Sequence, residues 1–438
     1  MSSAEIAPQR GKEPVPAPTA PAPKAWWQTE DWTSVWIGAS ILVAIIIGYR
    51  PIIPSLKWAS FADLGKVFGP ESLMGWLSIG VVTLLFGLAG NALQRASLSR
   101  FAIGFPIVFI LSVLAQWIAG NAVVNEWGFE YVIFALILGL LISNTVGTPD
   151  WLMPAVRTEY FIKTGLVIMG ATILFNEIVK ATSKGLIQSI LVVIVVWYVA
   201  FWICRKFRVD DEFGVILSSA VSICGVSAAI ATAGAIQGDR RKLSYVTSVV
   251  LIVAAPMMVI QPWIAKWAGM SDEVAGAWLG GTLDTTGSVV AAGALISETA
   301  MTTGTIVKFS QNILLGFAAF ALSLWWSFRD DTTHERPTAK VIWDRFPKFV
   351  LGFMVASLVF SFLVDESMIK ATKSAVGGLR TIWFSLAFVC IGLETKFMDL
   401  LEMEEGRPFF AFVLAQGFNL VWTYILALLI FGGVIFAG

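Results

Sequence analysis

The sequence predicts an all-α polytopic membrane protein with about 11–13 transmembrane segments, two of them interrupted near their middles. Three observations carry this. The 438-residue chain is 57% hydrophobic and only 14% charged, with a mean hydropathy of +0.78. Runs such as 186–204 and 409–436 match the roughly 20 apolar residues that cross a bilayer. Two further runs, 213–236 and 276–297, are membrane-length yet carry small and polar residues at their centres.

Taken in order, residues 1–32 begin with a Pro/Ala-rich stretch that cannot build a core, so a disordered or polyproline-II tail is expected. It lacks the basic start and immediate apolar core of a cleavable signal, which makes 34–48 the first expected membrane helix. Further segments are expected at about 72–90, 103–119, 131–143, 161–175, 186–204, 213–236, 245–264, 276–297, 306–326, 346–364, 380–396 and 408–436. Residues 33–130 read as additional N-terminal helices for scaffold or oligomer contact, and 131–436 as the core. The loops are short, which argues against a receptor with a separate signalling domain. A formal net charge of zero gives no support to nucleic-acid binding. Cys204, Cys224 and Cys390 show no metal or disulfide spacing. The loops with Arg205, Lys206 and Arg208 and with Arg329, Arg336, Lys340 and Arg345 are the richest in basic residues, whereas 120–130 and 297–305 have none. The positive-inside rule places the first pair inside; the loop 50–70, with Arg50, Lys57 and Lys66, dissents.

The two interrupted segments align on Gly225 and Gly287, bringing Gly214 onto Gly276, Leu217 onto Leu279 and Ala229 onto Ala291. Unwound backbone inside a bilayer is tolerated only where protein buries it or it lines a cavity, and secondary transporters hold solutes at such breaks. Ser222, Cys224, Gly225, Val226 and Ser227 in the first break, with Thr285, Thr286, Gly287 and Ser288 in the second, are therefore the candidate substrate-binding residues. Small residues also serve close helix packing, which is the plainer reading of them. Asp284 is a carboxylate at the centre of the second break and is the candidate for coupling to H+ or Na+, with Lys308 as a second ion-coupling candidate or a structural partner. Glu394 and Lys396 read as interfacial, and His334 as a loop residue. A second similarity, Gly170 to Val179 against Gly392 to Leu401, points to an inverted-repeat secondary-transporter architecture. Its offset of 222 residues disagrees with the 62 between Gly225 and Gly287, which excludes a simple tandem duplication.

The stretches Ser222 to Ala229 (SICGVSAA), Trp278 to Gly293 (WLGGTLDTTGSVVAAG) and Val307-Lys308 resemble a family of proposed sulfate exporters, also called YeiH-like or conserved hypothetical 698 membrane proteins. The resemblance extends weakly through Lys163 to Gly170 and Phe388 to Thr395, over about residues 130–436. It implies a multi-pass bacterial inner-membrane protein related to sodium/proton antiporters and bile-acid symporters, moving sulfate or organosulfonates. Where that family carries His-Glu this chain has Asp284-Thr285, and Ser288 replaces its Gln, so a role attached to that His-Glu pair does not transfer.

The expected function is a secondary active transporter of a small anion (sulfate, sulfonate or carboxylate), coupled to H+ or Na+ through Asp284 by alternating access. Half-helix N-termini beginning near Val226 and Ser288 would favour an oxyanion. Whether each break is a crossing unwound helix or a re-entrant hairpin is open in the residues, while the resemblance favours crossing. An anion channel is the alternative, separated from a carrier by saturable, counter-ion-dependent flux. An intramembrane aspartyl protease is a distant one: Asp284-Thr-Thr-Gly-Ser288 has one residue more than that signature, and Ser222 stands where a second carboxylate would have to be. Neither a catalytic residue, a metal site nor a cofactor is expected. The expected partners are the bilayer, the anion and a second copy in a homodimer.

Overall fold

The computed structural model describes residues 25–126, 131–173, 175–329, 343, 346–395 and 406–435. The expected tail up to residue 24, the loop with His334, Arg336, Lys340 and Arg345, and Lys396 fall outside them. The described residues are helical, with a single isolated bridge, Trp58 to Asn121, and no strand. The principal helices are α1 (Glu30–Ile47), α2 (Pro70–Leu93), α3 (Leu98–Ala119), α4 (Tyr131–Thr145) and α5 (Thr158–Gly170). Then follow α6 (Phe175–Lys206), α7 (Asp211–Ser219), α8 (Gly225–Ile236), α9 (Arg240–Trp267) and α10 (Asp272–Thr282). The last are α11 (Thr286–Ala294), α12 (Glu298–Arg329), α13 (Lys348–Phe362), α14 (Glu366–Glu394) and α15 (Gly406–Phe431). Among the described residues nine stretches are long and apolar enough to cross a membrane. The protein is an all-α polytopic membrane protein, as its composition requires. Helix α1 begins at Glu30, inside the stretch expected to be tail.

Both interrupted segments are re-entrant hairpins, against the crossing geometry that the resemblance favours. In the first, the chain enters through α7, whose start is capped by Asp210 accepting from Phe213 N at 3.1 Å. It leaves through α8 on the same side, because Lys242, just past α8, bonds Asp210 (2.7 Å) and Glu212 (2.8 Å) at the foot of α7. Burial disfavours the Lys242 ammonium, but the hydrogen bonds and charges of Asp210 and Glu212 outweigh it and hold its pKa above the usual value. A crossing helix would put these groups a bilayer apart, about 30 Å. In the second, α10 runs parallel to α12: a Cβ on Gly276 would lie 2.5 Å from Ala300 O, and one on Gly280 2.5 Å from Gly304 O. Since α12 begins only four residues after α11 ends, α11 must climb back to the level where α10 began.

The hairpins enter from opposite faces. The first starts beside Arg205, whose guanidinium pairs with Asp211 at 2.9 Å at the end of α6. Helix α9 then crosses, and the second hairpin starts from the far side, where Glu298 pairs with Arg380 at 2.6 Å. We call these the basic face and the opposite face. Helices α4 and α14 end together at the basic face, where Ser143 Oγ donates to Gly392 O (2.9 Å) and Thr148 Oγ1 to Leu393 O (2.6 Å). Helices α5 and α13 end together at the opposite face, where Ser357 Oγ donates to Ile173 O (2.5 Å) and Phe175 N to Ser361 Oγ (2.9 Å). Helices α4, α5 and α6 thus run opposite to α13, α14 and α15.

Candidate functional site

The hairpin tips meet inside the protein, and their local chemistry explains why the chain turns there. The first tip is a π-type turn over Ala220–Cys224 that ends at Gly225, φ +33°. A side chain there is strained by the backbone angle and by space: a Cβ would lie 2.5 Å from Val250 Cγ1 and 3.0 Å from Asp284 Cβ. The first tip therefore rests directly on the second. That second tip unwinds through Leu283, Asp284 and Thr285, with Leu283 (ψ 134°) and Thr285 (ψ 149°) both extended. Thr285 then caps α11, its Oγ1 accepting from Ser288 N at 3.0 Å and sharing a 2.7 Å hydrogen bond with Ser288 Oγ.

Two helices behind the tips satisfy the carbonyls these turns leave unpaired. From α12, Lys308 Nζ donates to Ile223 O (2.6 Å) and Gln311 Oε1 (2.9 Å), Gln311 Nε2 to Ser222 O (2.7 Å), and Asn312 Nδ2 to Thr286 Oγ1 (3.2 Å). From α15, Gln416 Nε2 donates to Thr282 O at 2.6 Å. Lys308, 1% exposed, is thus a brace of the first tip. It does not snorkel to an interface, and it makes no ion pair with Asp284 among the described residues.

In front of the tips lies a cavity of about 370 Å³. Cys224, Val226, Ser227, Asp284, Thr285, Thr286, Gly287 and Ser288 line it, which unites most of the residues singled out in the sequence. Ser222, Gly225 and Lys308 stay behind the wall. Asp284 is 2% exposed, and its Oδ2 has no hydrogen-bond partner among the described residues. The α8 and α11 N-termini start within two residues of the expected positions, and their first turns form part of the wall.

The remaining wall was not foreseen. It comes from the basic-face ends of α1, α5, α13 and α14: Asp31, Thr158, Glu159, Lys163, Pro347, Phe349, Glu394 and Thr395. Lys163 Nζ bonds Asp31 (2.9 Å), Glu30 (3.2 Å) and Glu159 (3.4 Å), and Arg157 adds Glu30 (3.4 Å) and Asn91 (3.2 Å). Helix α1 therefore helps to build the site, beyond the scaffold role expected of the N-terminal helices. Glu394, expected at an interface, faces the cavity and accepts from Thr158 Oγ1 at 2.9 Å. The available signal was the ionisable residue inside an apolar segment, a functional candidate by default. On the opposite face a separate cavity of about 520 Å³ is lined by Thr172, Lys184, Glu273, Glu298, Thr302 and Phe431.

Two opposed re-entrant hairpins whose tips wall a cavity define a polytopic membrane protein of two-hairpin architecture. The chain belongs to the family described as conserved hypothetical protein 698, whose model matches residues 103–411. It is 40% identical over 362 residues to a UPF0324 membrane protein of Rhodopirellula baltica, covering 80% of this chain and 66% of that one. A UPF0324 membrane protein of Nitratidesulfovibrio vulgaris is 37% identical over 399 residues, covering 88% and 69%. One of Nitrosomonas europaea is 29% identical, covering 88% of this chain and 92% of that one. The chain thus spans about two thirds of the length of the first two relatives. No solved structure matches it.

Proposed function

We propose that the protein is a secondary active transporter that carries a small anion, of the sulfate, sulfonate or carboxylate class, together with H+ or Na+ bound at Asp284. The observation that carries this reading is the contact of two oppositely entering hairpin tips, Gly225 against Asp284, at the wall of a polar cavity. Helix N-termini from both tips offer partial positive charge to an anion. An ionised Asp284 beside that anion would repel it, so loading needs a cation there. Access from the basic face and closure by the Arg380–Glu298 pair and the α10–α12 packing on the other side fit one state of an alternating-access cycle.

Inverted pseudo-symmetry supports the same reading. A shift of 222 residues carries Thr158 onto Arg380 and Thr172 onto Glu394. The pair Thr158–Glu394 is hydrogen-bonded at the basic face (2.9 Å), and the pair Arg380–Thr172 at the opposite face (3.4 Å). The first hairpin and α9 run opposite to the second hairpin and α12. The units therefore follow in the order three helices, hairpin, helix, then hairpin, helix, three helices. This permuted order accounts for the two offsets, 222 and 62, that no tandem duplication can share.

The test is uptake into proteoliposomes of labelled sulfate, methanesulfonate and acetate under imposed Na+ or pH gradients, with Asp284→Asn as the comparison. Gradient-driven uptake should collapse in Asp284→Asn while folded protein is retained. Undiminished cation-driven uptake by that variant, or no saturable uptake of any of the three by the wild type, counts against the proposal.

A further inference from the structure

The cavity wall holds more acid than base. Glu30, Asp31 and Glu159 share one network with Lys163 and Arg157. Asp284 and Glu394 make no ion pair with it among the described residues, although the charges of Glu159, Glu30 and Arg157 reach Glu394. The carboxylate Oδ2 of Asp284 is buried without a hydrogen-bond partner among the described residues. Lys308, whose charge acts on Asp284, is held behind the tip by Ile223 O and Gln311 Oε1, and the Cys224 thiol lies beside Lys308. Among the described residues Glu394 has a single side-chain hydrogen bond, from Thr158, and no ion pair. It also sits at the C-terminal end of α14, where the helix dipole adds negative potential. Cys390 lies one turn earlier on α14, and Arg157 is bonded to Glu30, Asn91 and Gln94. Among the described residues the lining thus carries four carboxylates, Asp31, Glu159, Asp284 and Glu394, against one ammonium, Lys163, and Asp284 and Glu394 are the two that form no ion pair.

We propose that Glu394 is a second cation-accepting carboxylate of this cavity, so that two monovalent cations load in each cycle, one at Asp284 and one at Glu394. This deepens the transporter reading and rests on it for its consequence. Two cations carried with a dianion such as sulfate make the loaded cycle electroneutral, and with a monoanionic sulfonate they leave one net positive charge. The Thr158 hydroxyl, donating to Glu394 Oε2, orients the carboxylate and leaves its other oxygen for the ion.

The experiment titrates the purified full-length chain with the cations themselves. One arm follows thermal unfolding and tryptophan fluorescence in sodium chloride against choline chloride at pH 8; the other follows pH in choline chloride, which separates Na+ from H+. The wild type should show a cooperative slope of about 2, Asp284→Asn and Glu394→Gln about 1 each, and the double variant no cation response. Glu394→Asp, which keeps the charge, should retain both steps. A wild-type slope of about 1, or a Glu394→Gln variant indistinguishable from wild type, overturns the second site while leaving Asp284 in place. An inert Asp284→Asn overturns the coupling proposed above instead. Should Glu394→Gln fail to fold, Thr158→Val removes the one hydrogen bond to the carboxylate and must shift the midpoint of one step alone; an unshifted curve overturns the assignment.

Discussion

At the scale of single residues, the two aligned glycines do different work. Gly225 has a left-handed backbone angle and no room for a Cβ, so Gly225→Ala should destabilise the protein by about 1–3 kcal/mol, read as a lower unfolding temperature. Gly287 has an ordinary backbone, and the nearest atom to an added Cβ is the mobile end of Ile391, at 3.2 Å. Gly287→Ala should therefore fold with wild-type stability, within about 0.5 kcal/mol, while narrowing the cavity and weakening solute binding. Equal destabilisation of the two variants would contradict the geometry. Asp284 was legible because a carboxylate in an apolar segment is costly unless used. Glu394 ends α14, near a helix end as the sequence placed it, but that its side chain faces the cavity follows only from the packing of α14 against α5. Lys308 was recognised but its partner was not, since Ile223 O lies 85 residues away in the chain. Lys308→Met should leave that carbonyl and Gln311 without their donor, costing about 1–3 kcal/mol of stability before any effect on coupling is read.

At the scale of elements, the decisive feature is that both breaks are hairpins. Composition marked the breaks, because glycine, serine and threonine at mid-segment suit neither a plain anchor nor a continuous helix. It did not mark their direction: α7 and α8 total enough residues to cross, and only the Lys242 contacts to Asp210 and Glu212 show the chain returning. Cysteines placed at Glu212 and Gly238 should be joined by a short bifunctional thiol cross-linker, since an added Cβ at Gly238 would lie 3.1 Å from the far end of the Glu212 side chain, Oε1. A crossing helix would prevent any such link. The tip itself carries Cys224, on the cavity wall. A small, membrane-impermeant thiol reagent should modify Cys224, 7% exposed on the cavity wall, from the basic face and spare Cys204 and Cys390, which are fully buried. Labelling from the opposite face alone would reverse the assigned access.

At the scale of the whole molecule, alternating access requires the opposite face to open as the basic face closes. The Arg380–Glu298 pair, backed by Thr172, bridges the foot of the second hairpin to α14. Removing it with Arg380→Ala should favour the opposite-facing state and lower Cys224 labelling from the basic face several-fold. Unchanged labelling would show that this pair is not part of the closure. The sequence by itself determined the membrane class, the positions of nearly all helices, the two breaks and the buried acid, because each follows from hydropathy and from the cost of polar groups in lipid, both local properties. Tertiary structure alone decided that the breaks turn back, that they enter from opposite faces, and that α1, α5 and α14 complete the cavity. Those facts rest on contacts between residues far apart in the chain, such as Thr158 with Glu394, 236 positions away, and no local pattern encodes which distant surfaces will meet.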